Sequence, residues 1–531
     1  MSEPVAGKFL LEILTRGMYS NPMHVFREYI QNASDAIDKA VEAQIISASE
    51  ATIHIDIDAR GRRISIKDNG IGISQDIAQT KLLNVGASDK DGISERGFRG
   101  IGRLGGLAYA SQVQFITSAV GDNTKTIMTC DCDRMQQLLQ KSNNETSDIM
   151  ETFKAISTFE KTPEDTSSHF FEVVMTGVPE ESGLLDESAA MIYLAETAPV
   201  DFNSQQFTQA HKIREKFSEE GFPITCYRIL RGARKQPIYK LYSRSISTGK
   251  QERTKDKDFI RDVEFIYEKA SDGKPLYIGW LAITDFSGSI SDQSIQGIRF
   301  RKGNILVGDN ETFSKFFPFS SAIEASRANK FFAGEIHVLH DDLVPNSQRD
   351  DFEPGVAYNE MKEALSRWAG SINKKYRRGT SEATSALRNL NKLNEEQLKL
   401  EEKIESGVIT SDEKREQVSE QLQKIVKARE KEEKTVRKAL ERGTFGEERR
   451  ETVEKTLEKT EAAVKREIAI SKNITNAGYA TKNDLPSSYS RDERKLYQRI
   501  ISVIDTYFAA DPKTAEALRE QIKTELSVKK K

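Results

Sequence analysis

Between residues 25 and 43 apolar side chains recur at helical spacing, with Val25, Phe26, Ile30 and Ile37 on one face. The stretches 51–58 and 63–68 alternate apolar and polar positions instead, the two-residue period of strands. Further strands are predicted at 112–118, 124–130 and 169–176, and residues 70–106 between these groups are rich in glycine. A second mixed segment, about 190 to 370, holds strand-like runs at 224–229, 275–284, 298–307 and 334–339. Both tryptophans, Trp280 and Trp368, fall in it, as suits a packed domain.

The rhythm changes near residue 381. Up to about 472 glycine and proline nearly vanish and charges of both signs crowd together. Leu390, Leu393, Leu400 and Ile404 keep three–four spacing, as do Val418, Leu422 and Ile425, then Val453, Leu457 and Val464. This narrow stripe predicts coiled-coil or hairpin helices. Gly407 and the pair Gly443 and Gly446 break the runs, and Thr410 with Glu413 offers a capping box. The predicted arrangement is antiparallel hairpins rather than one rod. A last segment, about 488 to 526, carries Leu496, Ile500, Val503, Ile504 and Tyr507 at helical spacing, and Asp511-Pro512 starts another helix. The divisions expected are 1–185, 186–372, 373–475 and 476–531, in an α+β chain with a helical end.

Composition sharpens this picture at three points. The 531 residues carry 79 Lys and Arg against 82 Asp and Glu, a net charge of −3, which excludes a bulk polycation. The mean hydropathy of −0.57 is low because the charged helices pull down an otherwise ordinary average. Three cysteines exclude a disulfide scaffold, and Cys130, Cys132 and Cys226 read as strand residues rather than metal ligands. No apolar run approaches the ~18–20 residues of a membrane span. The start lacks a signal-peptide layout, so a cytoplasmic protein without membrane contact is expected.

Three constellations carry candidate chemistry. Glu28, Asn32 and Asp35 stand at i, i+4 and i+7 and share one helix face. A carboxylate there can take a proton from water, and an amide oxygen one turn on suits Mg²⁺. Asp68-Asn69-Gly70-Ile71-Gly72 follows a strand. An acidic residue there can accept from an adenine amino group, while Gly70 and Gly72 let backbone approach a flat base. Gly97, Gly100 and Gly102 form G-x-x-G-x-G, preceded by Asn84, Gly86, Ser88 and Lys90. Glycines ahead of a helix offer backbone N–H groups to phosphate. Each motif alone is common.

Their order and spacing together resemble the Bergerat fold of the GHKL ATPases, and residues 19–39 look closest to the heat-shock protein 90 chaperones. The resemblance implies ATP as substrate and Mg²⁺ as cofactor. It implies Glu28 as general base, Asn32 as the Mg²⁺ ligand and Asp35 as a pocket-shaping residue. Asp68 would read the adenine amino group over Gly70 and Gly72. Asn84, Gly86, Ser88 and Lys90 would lie in or near a lid, and Gly97, Gly100 and Gly102 would wrap the phosphates. The family's late-strand threonine is matched only loosely, by Thr166, Ser167 or Ser168. Val344-Pro-Asn-Ser-Gln-Arg349-Asp-Asp-Phe352 resembles the loop that sends a cation to the γ-phosphate, which assigns Arg349 to that role. Arg301 and Lys302 are expected to face solvent.

Beyond about 375 the resemblance ends. It implies a dimer held through the C-terminal helices and transiently through the N-terminal domains, closing on a protein client. The MORC and MutL branches imply a clamp on DNA instead, and a third alternative is an ATPase sensor or scaffold in a bacterial multi-gene defence system.

Overall fold

The computed structural model describes residues 6–17, 21–85, 102–140, 148–248, 256–284, 286, 288–405, 412–441, 445, 447–475, 489–508 and 511–528. The chain divides into two units, Met1–Asn373 and Lys374–Lys531. Of the sequence-predicted site residues, Gly86, Ser88, Lys90, Gly97 and Gly100 lie outside the described residues, as do Thr410, Gly407, Gly443 and Gly446.

The first unit is α+β. After α1 (Phe9–Glu12) comes α2 (His24–Glu42), then β1 (Thr52–Asp58), β2 (Arg63–Asp68), α3 (Ala78–Leu83), β3 (Gln112–Ser118), β4 (Thr124–Asp131), α4 (Cys132–Leu138), α5 (Ile149–Ala155), β5 (Ser157–Pro163) and β6 (Phe170–Thr176). Alternation works as expected. Ile53, Ile55, Ile64, Ile66, Val113, Phe115, Val173 and Met175 all enter one core, which Val25, Phe26, Tyr29, Ile30, Ala33 and Ile37 of α2 cover. Asp131, Asp148 and Asp186 cap α4, α5 and α6 (Glu187–Thr197) by accepting from backbone N–H groups. Such a cap stabilises by about 1 kcal/mol.

The sheet has eight strands in the order β5-β4-β3-β6-β2-β1-β7-β8. Its last two, β7 (Arg228–Arg231) and β8 (Gln236–Pro237), come after α7 (Ala210–Glu219). β7 runs parallel to β1, with Thr52 opposite Arg228. The sheet therefore crosses the division expected at residue 185.

A ribbon of β9 (Ser245–Thr248) and β10 (Asp256–Phe259) leads to a second sheet of β11 (Asp262–Lys269), β12 (Pro275–Ile283), β13 (Gly297–Lys302), β14 (Ile305–Val307) and β15 (Ala333–Val338), ordered β11-β12-β15-β13-β14. The run predicted as one strand at 298–307 is a hairpin. Gly303 and Asn304 both take positive φ, 56° and 62°, at its two-residue turn. Helices α8 (Ala322–Asn329) and α9 (Val356–Ile372) flank this sheet. Trp280 packs edge-on to Phe202 and Tyr242, at 5.9 and 4.9 Å between ring centroids.

Arg301 does not face solvent. It is buried, with Nε 2.6 Å from Glu335 Oε1, while Lys240 Nζ lies 2.7 Å from Glu335 Oε2. β13 is buried on both faces, so Arg301 is enclosed whichever way it points, and the carboxylate on the neighbouring strand repays part of its desolvation. Lys302 is partly covered too, donating to the His340 carbonyl at 2.8 Å.

The second unit contains α10 (Gly379–Glu405), α11 (Asp412–Glu441) and α12 (Glu447–Thr475), then α13 (Arg491–Tyr507) and α14 (Pro512–Val528). α10 and α11 run antiparallel, and α12 lies alongside α10 in the parallel sense, with Asn394 against Thr460 and Gln397 against Ala463. Ala386, Leu390, Val436 and Val453 form one apolar cluster, and Leu400, Ile404 and Leu422 another. Between them Arg429, almost fully buried, donates to Gln397 and Glu467. Ser490 and Glu493 make a reciprocal capping box at the start of α13. Tyr497, Ile501 and Ile504 of α13 pack with Ala515 and Leu518 of α14. Among the described residues no helix is long and apolar enough to cross a membrane.

Candidate functional site

Helix α2 is the spine of the site. Glu28 and Arg27 near its start are both buried. Arg349 Nε approaches Glu28 Oε1 to 3.4 Å and Arg27 Nε to 3.8 Å, yet this oxygen accepts no hydrogen bond from the described residues. Arg349 belongs to the loop after β15. The loop is closed by a bridge between Pro345 and Phe352, and Phe352 packs edge-on to Phe300 of β13 at 5.9 Å. Arg349 takes a left-handed φ of 56°, and its carbonyl accepts from Gly308 N at 2.8 Å. Arg27 Nη2 reaches the Gln348 carbonyl at 3.5 Å. Two residues 321 positions apart in sequence, Glu28 and Arg349, are thus brought together.

Space beside them is tight. A Cβ on Gly102 would lie 2.3 Å from Glu28 Oε2. The turn that follows is tied to α2 through Tyr29, whose hydroxyl donates to the Arg103 carbonyl and accepts from Gly106 N, both at 3.1 Å. Asn84 closes α3, and its carbonyl accepts from the Arg103 guanidinium.

Eight residues along α2 from Glu28, about 12 Å at 1.5 Å per residue, the helix meets the turn after β2. Ile71 N donates to the Ala36 carbonyl at 3.0 Å, and a Cβ on Gly70 would fall 2.6 Å from Ala36. Gly72 has φ +68°, and its Cβ would fall 1.9 Å from the Ser118 carbonyl oxygen. Asp68 is buried, its Oδ1 accepting from Gly70 N at 2.8 Å. Burial pushes its carboxyl up to about 7, against the opposing pull of the Gly70 N–H. Between the two ends, on the face of Glu28, lie half-buried Asn32 and buried Asp35.

Thr166, Ser167 and Ser168 do not join Asp68. Ser167 donates to Asp165 and Ser168 to Glu164, in a largely exposed turn. Thr117 and His169 stand nearer. Thr117 Oγ1 accepts from Ile73 N at 2.8 Å and donates to the Phe170 carbonyl at 3.0 Å. His169 Nδ1 lies 2.9 Å from the Gly70 carbonyl oxygen.

Gln31, on the same helix, was not singled out by the motifs. It is fully buried, one turn after Glu28, and neither end of its amide has a hydrogen-bond partner among the described residues. Its i+3 spacing from Glu28 was the available signal.

A family model described as histidine kinase-, DNA gyrase B-, and HSP90-like ATPase matches residues 19–162. That span contains α2, the Asp68 turn and Gly102. The N-terminal domain is of the GHKL ATPase type. The chain is similar to chaperone protein HtpG of Mycolicibacterium vanbaalenii, at 29% identity over 137 residues, 22% of this chain and 21% of that protein. It is 30% identical to chaperone protein HtpG of Mycobacterium tuberculosis over 141 residues, again 22% and 21% of the two chains. With chaperone protein HtpG of Cupriavidus taiwanensis it shares 37% over 101 residues, 18% and 16% of the two chains. The matches thus span about a fifth of these relatives' own length. The GHKL domain resembles that of HSP90, while Arg349 lies beyond the matched span.

Proposed function

We propose that this protein is an ATP-hydrolysing, nucleotide-gated clamp of the heat-shock protein 90 type. The observation that carries the reading is the meeting of Glu28 and Arg349 at a buried carboxylate oxygen without a hydrogen bond. An uncommitted acceptor beside a guanidinium suits water activation next to a transferring phosphoryl group. In this reading Glu28 is the general base and Arg349 supplies charge to the γ-phosphate. Asp68 accepts from the adenine amino group, with Gly70 and Gly72 against the base. The stretch of α2 from Glu28 to Ala36 matches the span of an extended nucleoside triphosphate. Asp35 shapes the pocket, and Asn84, Gly86, Ser88 and Lys90 belong to or border the lid. Gly97, Gly100 and Gly102 surround the phosphates.

Mg²⁺ fits the donor set. Among the described residues no group of three His, Cys, Asp or Glu could hold a metal alone. Asn32 offers one oxygen on the Glu28 face, and Mg²⁺ is commonly held by one or two protein oxygens together with substrate phosphates. The ion would supply charge neutralisation to those phosphates.

The partner across the clamp is a second copy. α13 exposes Leu496, Ile500, Val503 and Tyr507 at four–three–four spacing, with Val503 67% and Tyr507 82% exposed, while its other face packs on α14. An apolar stripe left uncovered on a helix whose other face is already packed suits pairing with the same stripe of a second copy. The cargo of the clamp is a protein.

The deciding experiment is ATP turnover by the full chain with Mg²⁺, beside Glu28→Ala. The wild type should turn over, and the variant should bind ATP without hydrolysing it. Equal turnover in both would end the catalytic assignment. Glu28→Ala loaded with ATP should retain a protein in pull-downs, and recovery of DNA alone would replace the protein cargo. Light scattering should find a dimer that Val503→Glu converts to monomer.

A further inference from the structure

Strands β2, β6 and β3 lie side by side, with Asp68 opposite Phe171 and Phe171 opposite Thr117. Alternation fixes the face these three share. Ile64 and Ile66 of β2, Val113 and Phe115 of β3, and Val173 and Met175 of β6 enter the core beneath α2, with Phe171 packed against it. Asp68, Thr117 and Phe171 extend those rows by one step. Phe170 points the other way, where Lys67 Nζ sits 4.0 Å from its ring centroid. His169, the residue just before β6, is brought to the turn after Asp68 by its own contact, its Nδ1 meeting the Gly70 carbonyl at 2.9 Å.

The Thr117 hydroxyl is already committed to backbone on both sides. The imidazole is not. A carbonyl can only accept, so Nδ1 carries the proton, and in the neutral ring Nε2 is left as an acceptor on the opposite edge. The Asp68 carboxylate also accepts. Two neighbouring acceptors match a base edge bearing an exocyclic amino group, which has two N–H bonds to give. They oppose a base with a carbonyl oxygen at the same position, which sets acceptor against acceptor there and leaves only the ring N1–H to donate.

We propose that His169 is a specificity-determining residue that acts with Asp68 to select a 6-amino purine over a 6-oxo purine. The inference rests on the nucleotide reading of the site and adds a residue that no motif assigns.

Calorimetric titration of the full chain with ATP and inosine triphosphate tests it. The wild type should prefer ATP. His169→Ala should reduce the ATP-to-inosine-triphosphate affinity ratio by about tenfold or more, with inosine triphosphate bound as well as before or better. His169→Gln, which can still present an acceptor, should keep most of the preference. His169→Leu, closer in volume, reads the same ratio should the alanine variant fail to fold. A residue that merely props the Gly70 turn would weaken both nucleotides together. An unchanged ratio in His169→Ala and His169→Leu, with ATP still bound, overturns the proposal. Asp68→Asn separates the two levels: if it loses ATP while the His169 variants keep the ratio, only the role of His169 falls. If the wild type binds neither nucleotide, the nucleotide reading falls with it.

Discussion

Two carboxylates, Glu28 on α2 and Glu335 on β15, are both buried and both face an arginine, yet they are treated in opposite ways. Glu335 is saturated: Arg301 Nε at 2.6 Å, Lys240 Nζ at 2.7 Å and His337 Nε2 at 3.1 Å surround it. Burial alone would raise its pKa, but Arg301 and Lys240 hold it well below the usual carboxylate range. Burial and the neighbouring Arg301 bring Lys240 down to about 8, against the pull of Glu335. Glu28 has cations at 3.4 and 3.8 Å and an Oε1 that accepts no hydrogen bond from the described residues. A saturated cluster can only hold its surroundings together. A carboxylate left short of partners is free to take a proton or a ligand, at some cost in stability.

The contrast breaks first at Glu335. Glu335→Ala strands two buried cations and should cost about 3–5 kcal/mol. Glu28→Ala should change stability by no more than about 1 kcal/mol. Denaturant midpoints of the two variants compare them directly, and equal losses would erase the distinction. Arg349→Ala should lower turnover by about 10³-fold or more with ATP affinity nearly unchanged. Arg349→Lys should restore only part, because a point charge replaces a planar fork. Steady-state turnover beside binding titration reads both numbers.

Asp68→Asn acts at the other end of the pocket. It should weaken ATP by about 1.5–3 kcal/mol, roughly 10- to 100-fold, with no stability loss like that of Glu335→Ala. Unchanged affinity in titration calorimetry would remove Asp68 from base recognition. The smallest effect is one of pH. With its carboxyl raised from 3.8 to about 7, Asp68 holds a proton in the folded chain that the unfolded chain has released. Its contribution to stability is therefore full below about 4 and is lost as pH rises through about 7. If Asp68 reads the adenine amino group as proposed, binding uses its carboxylate, and ATP affinity should fall about tenfold per pH unit below 7 and level off above it. Proton release on binding, measured in buffers of different ionisation enthalpy, checks the sign, and Asp68→Asn should abolish it.

Local order in the chain was legible wherever periodicity was strong. The extents predicted for β2 and β3 match the observed strands, and those of α2, β4 and β6 differ by a residue at one end or both. The helices from α10 to α14 follow the apolar stripes and the breaks between them. What stayed hidden depends on long-range pairing. Arg301 reads as a surface cation until β15 places Glu335 beside it. Thr117 and His169 carry no motif, and only the β3–β6–β2 register brings them to Asp68. Gln31 stands inside a recognised motif, but its isolation is a property of packing rather than of spacing.

The parallel pairing of β7 with β1 sets a limit on how the protein can be divided for study. A fragment ending near residue 185 would lose β7 and β8 and leave the backbone of Thr52–Ile55 unpaired along an open edge. It would also lose Tyr227 and Ile229, buried side chains of the same core. Such a fragment should self-associate through that edge and precipitate. A chain ending after Pro237 would keep the strand that seals it, but would lose Ile238 and part Phe202 and Phe207 from Tyr242 and Trp280. The N-terminal sheet is therefore completed by a strand that lies outside the stretch 19–162 matched by the ATPase family.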